Sequence, residues 1–163
     1  TSASLGLQSQ IQNLHRIAVR GPDLGRLYNQ YGKLGEQVAR QTVELFAKNF
    51  GGRLSINPGA LLPNGRQLDM LLRLGQRLLH IEVKYNLPSP TKPGFARLIA
   101  QMEGALAQVG KDGGRVVLWS LRPHSAYTAN QIRAALGVSA EIEIEIVHGV
   151  NGLYLALMNF FLL

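Results

Sequence analysis

The sequence predicts an α/β domain with a mixed central sheet flanked by helices. Three observations support this. Gly65 to Tyr85 alternates in side-chain character on two short stretches joined by Gly75 and Gln76. Arg115 to Leu121 is dense in β-branched and aromatic residues, as a buried central strand is, and apolar residues at helical spacing flank both stretches. With 163 residues, 46% of them hydrophobic, the chain is long enough for one domain with a real core.

In chain order, Leu7, Ile11, Leu14 and Ala18 have the spacing of a helix over 7–20, broken by Gly21 and Pro22. A second helical region starts near Asp23 and is clearest from Gly32 to Phe50, where Leu34, Val38, Leu45 and Phe46 can face a core and Gly51-Gly52 ends the helix. Residues 1–31 are expected as an N-terminal helical segment ahead of a domain over 32–163, or as part of one domain over 1–163. Arg53 to Asn57 reads as a first strand. Beyond Tyr85, Pro88, Pro90 and Pro93 forbid regular structure up to Gly94. Phe95 to Val109 then carries Phe95, Leu98, Ile99, Met102, Leu106 and Val109 on one helical stripe.

Thr128 and Gln131 have capping-box spacing at the start of a short helix that Gly137 ends. Ala140 to Val147 sets Glu141, Glu143 and Glu145 against Ile142, Ile144 and Ile146, a strand with a solvated acidic face. After a turn over 148–152, the apolar tail Gly152 to Leu163 is expected to return as a partner strand. It is far shorter than the ~20 residues a membrane-spanning helix needs.

Alternation within Gly65 to Tyr85 sorts the side chains by face. Leu68, Met70, Leu72 and Leu74 share one face of the first strand, and Gln67, Asp69, Leu71 and Arg73 the other. On the second strand Leu79, Ile81, Val83 and Tyr85 oppose Leu78, His80, Glu82 and Lys84. A two-residue loop with Gly first pairs Leu74 with Arg77, and Asp69 then falls opposite Glu82. Directly opposed Cβ atoms lie about 5 Å apart, and like charges there are destabilising. A divalent cation removes the conflict, because hard oxygen ligands at that spacing can share one Mg²⁺ or Mn²⁺. Lys84 projects from the same face toward the same space.

Asp69 followed by Glu82-Val83-Lys84 after a hairpin resembles the PD-(D/E)xK phosphodiesterase superfamily, whose members include restriction enzymes, junction resolvases and nuclease toxins. The residue before the Asp is Leu68 where the family name has Pro. The resemblance implies a restriction-endonuclease-like core in the order α-β-β-β-α-β. It also implies that Asp69 and Glu82 bind Mg²⁺ or Mn²⁺ and that Lys84 positions or activates the attacking water. In this family a helix ahead of the hairpin often adds an acid, which makes Glu36 a fourth candidate and a third metal ligand; its ordinary alternative is a surface pair with Arg40. Gln101, on the helix after E-x-K, is a secondary candidate by the same resemblance, with His80 on the acidic face and Lys92 in the proline-rich loop.

Charge points to the partner. Residues 1–135 hold all 17 Lys and Arg and seven acids, whereas 136–163 carry three acids and no Lys or Arg. A basic body of this kind attracts polyanions, nucleic acid first. The absence of cysteine excludes disulfides and zinc-thiolate sites and suits a protein that crosses between compartments. With a first residue that is Thr and not Met, these features resemble the C-terminal toxin of a contact-dependent inhibition or other polymorphic toxin system. The resemblance implies a domain of a secreted or cell-surface bacterial protein, delivered to the target-cell cytoplasm and neutralised by a cognate immunity protein. DNA is the first expected substrate and tRNA the second. The rival expectations are a housekeeping repair or junction nuclease and a non-catalytic nucleic-acid-binding module.

Overall fold

The computed structural model describes residues 6, 8, 9, 12, 24–59, 70–110, 113–137 and 144–162, and for 24–31 and 58 the backbone alone. Most of the stretch 7–20, together with Asp69, Glu141 and Glu143, therefore lies outside the described residues. The elements are helix α1 (Leu24–Ala47), strands β1 (Ser55–Pro58), β2 (Met70–Leu74) and β3 (Arg77–Lys84), helix α2 (Gly94–Gly110), strand β4 (Arg115–Ser120), helix α3 (Ala126–Leu136), strand β5 (Ile144–His148) and helix α4 (Gly149–Phe161). From α1 to β4 they follow the expected order α-β-β-β-α-β.

The five strands form one mixed sheet in the order β1-β2-β3-β4-β5. The pairs β1–β2 and β2–β3 are antiparallel, and β3–β4 and β4–β5 are parallel. The hairpin has the expected register: Leu74 faces Arg77, Leu72 faces Leu79 and Met70 faces Ile81. Gly75 has φ 59° and every non-glycine residue described has negative φ, the combination a type II′ turn requires.

Alternation on the central strands divides two cores. On one face Met70, Leu72, Leu79, Ile81, Val83, Val117 and Trp119 pack against α1 and α4. On the other, Val116, Leu118, Ile144 and Ile146 pack against Leu98, Met102 and Ala105 of α2 and Ala129 and Ile132 of α3. Because both faces are covered, β3 is buried from Leu78 to Val83. α1 places Leu34, Val38, Val43 and Phe46 on the sheet, continues into a short 3₁₀ turn at Lys48–Phe50, and stops at Gly51 in the left-handed region.

Three local expectations are corrected. The C-terminal segment is helix α4 and not a returning strand, and the turn expected over 148–152 forms its start. Val150, Leu153, Leu157 and Phe161 recur at intervals of three and four, a helical period hidden in a run that is apolar almost throughout, and Phe46 of α1 and Phe50 of the 3₁₀ turn after it meet Phe161. Arg77 joins this helix to the hairpin, with Nη1 donating to Phe160 O at 3.0 Å and Phe161 O at 3.1 Å. The cap of α3 is Ser125, whose Oγ accepts from the Thr128 N–H at 3.1 Å, so Thr128 lies inside the helix and is buried. The first strand begins at Ser55, two residues later than its composition suggests, because Arg53 closes the preceding turn through its N–H to Phe50 O at 3.1 Å.

Candidate active site

Strand parity turns His80, Glu82 and Lys84 toward α2 and α3, because their partners on β4 are Val116, Leu118 and Ser120. The burial of this row grades along the strand. His80 is 0% exposed, Glu82 6%, and the Lys84 side chain 29%. A carboxylate so buried is costly unless it is paired and hydrogen-bonded. The structure supplies Lys84 Nζ at 3.6 Å from Glu82 Oε1 and His80 Nε2 at 3.2 Å from Glu82 Oε2.

Lys84 is held from a second direction. Its Nζ donates to Gln101 Oε1 at 2.8 Å, a charge-assisted hydrogen bond to the helix that follows the E-x-K strand. The geometry thus brings Glu82, Lys84, His80 and Gln101 together. Glu36 is exposed on α1, the helix that covers the opposite face, where the neighbouring Gly35 packs over Val83. Lys92 lies in an exposed turn leading into α2, its N–H donating to Ser89 O at 3.0 Å. Asp69 directly precedes Met70, the last described residue of the hairpin register.

Glu82 offers a carboxylate and His80 an imidazole, donor types that divalent cations take. Both ring nitrogens of His80 are buried and make no hydrogen bond among the described residues, although Nε2 lies 3.2 Å from Glu82 Oε2. A carboxylate with an imidazole suits Mn²⁺ at least as well as Mg²⁺. No three His, Asp or Glu side chains converge at metal-binding spacing among the described residues, so the described donor set is this pair.

Sequence reasoning gave His124 no role. The structure sets it in a second polar group at the carboxyl ends of the parallel strands. Ser120 Oγ donates to Arg122 O at 2.7 Å and lies 3.0 Å from His124 Nδ1, and the His124 and His148 rings meet edge to face with centroids 4.9 Å apart. Burial first, then the neighbouring His148 and Arg133, holds the His124 pKa below its ordinary value. The available signal was position: His148 ends one parallel strand and His124 lies in the loop after another, and the carboxyl ends of such strands are where α/β sheets bind ligands.

No protein-family model matches the chain, and no curated protein does. Among solved structures, Can2 from Sulfobacillus thermosulfidooxidans, determined in complex with cyclic tetra-adenylate, is similar with a TM-score of 0.61 and 14% identity. The likeness covers 98% of this chain and 53% of Can2, so the chain spans about half the length of that protein. At this identity it is a likeness of fold, and the chain is similar to Can2 in its mixed sheet flanked by helices.

Proposed function

We propose that the chain is a metal-dependent nuclease that hydrolyses phosphodiester bonds of DNA. The supporting observation is the E-x-K pair on the central strand, with Lys84 Nζ 3.6 Å from Glu82 Oε1 and fixed at 2.8 Å by Gln101 Oε1. Glu82 would hold Mg²⁺ or Mn²⁺ together with Asp69, the acid expected to share the ion; Glu36, exposed on the helix over the opposite face, is not placed to join them. When bound, such an ion supplies Lewis acidity toward a phosphoryl oxygen and lowers the pKa of water.

The chain's own contribution is preorganisation. Lys84 has three N–H donors. One is committed to Gln101, which fixes the ammonium before substrate arrives, and the partly exposed side of the group can donate to a phosphoryl oxygen or to the attacking water. Glu82 sets the direction of the ammonium from the strand side, and the apolar packing of Leu98 and Met102 next to Gln101 excludes water from one flank. The basic residues of the first 135 positions grip the phosphate backbone with little sequence preference. Cyclic tetra-adenylate, the ligand of the fold-similar Can2, is itself a phosphodiester, which supports a nucleic-acid partner for this chain.

The same proposal extends to context. The composition supports a toxin domain of a secreted or cell-surface bacterial protein, delivered to the target-cell cytoplasm and neutralised by an immunity protein that covers the basic body. The test incubates the chain with plasmid DNA and with total tRNA, each with Mg²⁺, Mn²⁺ or EDTA, beside Glu82→Gln and Lys84→Ala. Cutting of plasmid with either metal, reduced about 10²-fold or more in both variants, is the expected result. Cutting of tRNA alone would change the substrate, and intact nucleic acid with every metal would leave a binding module.

A further inference from the structure

A cleft of about 620 Å³ opens at the carboxyl end of the parallel strands, on the side of the sheet away from the β2–β3 hairpin. Its walls include His124, Ala129, Ile146, His148, Asn151 and Gly152, and none of its described lining residues is acidic. Strand pairing ties the cleft to the candidate active site. Lys84 is the register partner of Ser120, and Ser120 is the partner of His148, so the three lie in one row across β3, β4 and β5. At the usual strand spacing, Lys84 and His148 are about 10 Å apart at Cα.

The electrostatics of this cleft are one-sided. His124 and His148 face each other with ring centroids 4.9 Å apart, Ser120 Oγ lies 3.0 Å from His124 Nδ1, and Arg133 of α3 repels the charged form of His124. The cleft thus presents two imidazoles and no acid among its described lining residues, with Arg133 near enough to disfavour the charged form of His124, a setting that suits an anion. The start of α4 adds to it. His148 occupies the cap position in an extended conformation and makes no side-chain capping bond, while Gly149 has φ 72°. The first N–H groups of this 13-residue helix thus meet the cleft with the positive end of the helix dipole behind them.

We infer that this cleft binds a phosphate group of the nucleic-acid strand on which Glu82 and Lys84 act, an inference that rests on the nuclease reading for the identity of the strand. One phosphodiester lies at Lys84, and a neighbouring phosphate enters the cleft beside His124, His148 and the first N–H groups of α4. Binding draws a proton onto His124, since the anion offsets the repulsion that His148 and Arg133 exert on its charged form. Affinity therefore rises as pH falls from 8 to 6.

The test uses the full chain in EDTA and a short fluorescein-labelled single-stranded oligodeoxynucleotide, read by anisotropy at pH 6 and pH 8 over a range of salt. The His124→Gln/His148→Gln double variant is expected to bind about tenfold more weakly at pH 6, with the salt slope reduced by about 1 and the difference narrowing at pH 8. Equal affinity and equal slope would overturn the site. Because the variant could be misfolded, the imidazole C–H resonances of the unaltered protein provide a second readout. Addition of the oligonucleotide is expected to move His124 and His148 and leave His80 in place. Inorganic phosphate or adenosine monophosphate moving the same resonances would identify free phosphate groups as a second source, and no movement with any of the three would overturn the site. If the histidines respond but plasmid is never cut, the phosphate site stands and the nuclease reading fails. Cutting without a histidine response would uphold the nuclease reading and overturn the phosphate site.

Discussion

Replacing the two charged members of the E-x-K pair one at a time is predicted to shift stability in opposite directions. Lys84→Met removes the ammonium and leaves the Glu82 carboxylate, 6% exposed, with one fewer cation near it. At 3.6 Å and an effective dielectric of about 20, the lost attraction is roughly 5 kcal/mol before solvation is counted. Water reaches the ammonium, whose side chain is 29% exposed, so the net loss is smaller, on the order of 2 kcal/mol. Glu82→Gln keeps the shape of the side chain and removes the buried charge, and the remaining lysine is exposed enough to be hydrated. A gain of about 1 kcal/mol is expected. For a chain of this size 1 kcal/mol corresponds to about 2–4 °C in Tm. In EDTA at pH 7.5, thermal melts followed by circular dichroism should place Lys84→Met about 4–8 °C below the unaltered chain and Glu82→Gln about 2–4 °C above it. Both variants melting lower by similar amounts would refute the reasoning, because Glu82 would then be a net stabilising charge and not one retained at a cost.

Gln101→Leu is predicted to lower the plasmid-cutting rate about tenfold with an unchanged melting curve, since it frees the Lys84 ammonium that Gln101 now fixes; rescue by Gln101→Glu, which retains the acceptor, checks the assignment. The depressed pKa of His124 means that its neutral form stabilises the fold: this contribution is complete above the unfolded-state value near 6.5 and is lost as pH falls through the lower folded value. Urea midpoints should therefore drop between pH 7.5 and 5.5, and the drop should shrink in His124→Asn. Gly114→Ala is expected to cost about 1–3 kcal/mol by overpacking, measured as a urea midpoint, because an added Cβ would lie 2.9 Å from both Leu78 O and Val109 O.

Much of the fold was legible because local signals agreed with one another. Gly75 with its positive φ sets the hairpin register, and the alternation of Leu79, Ile81 and Val83 against His80, Glu82 and Lys84 defines the two faces. The same alternation brought Glu82 and Lys84 together in advance, and Gln101 met Lys84 from about two helical turns into the next element. Two features resisted. The segment Gly149–Phe161 is apolar on nearly every side, with Leu155 and Met158 exposed on its outer face, so a helical period could not be separated from a strand-like run. His124 and His148 are 24 positions apart in the chain, and only the parallel pairing of β4 with β5 brings them into contact. No local pattern encodes a meeting that depends on a crossover.

The bonds that hold the two halves of the molecule differ greatly in how much chain they enclose. Lys84 reaches Gln101 across 17 residues, whereas Arg77 reaches Phe160 and Phe161 across 83 and 84. Loops of the first kind close early in folding at small entropic cost, and those of the second kind close late. The chemistry-bearing strand and its supporting helix are thus a locally assembled unit, and α4 is a latch that closes over the opposite face. In native-state hydrogen exchange the amides of α4 should open at lower free energy than those of β3. The ammonium would then keep its place opposite Glu82 in molecules whose last helix has already come away.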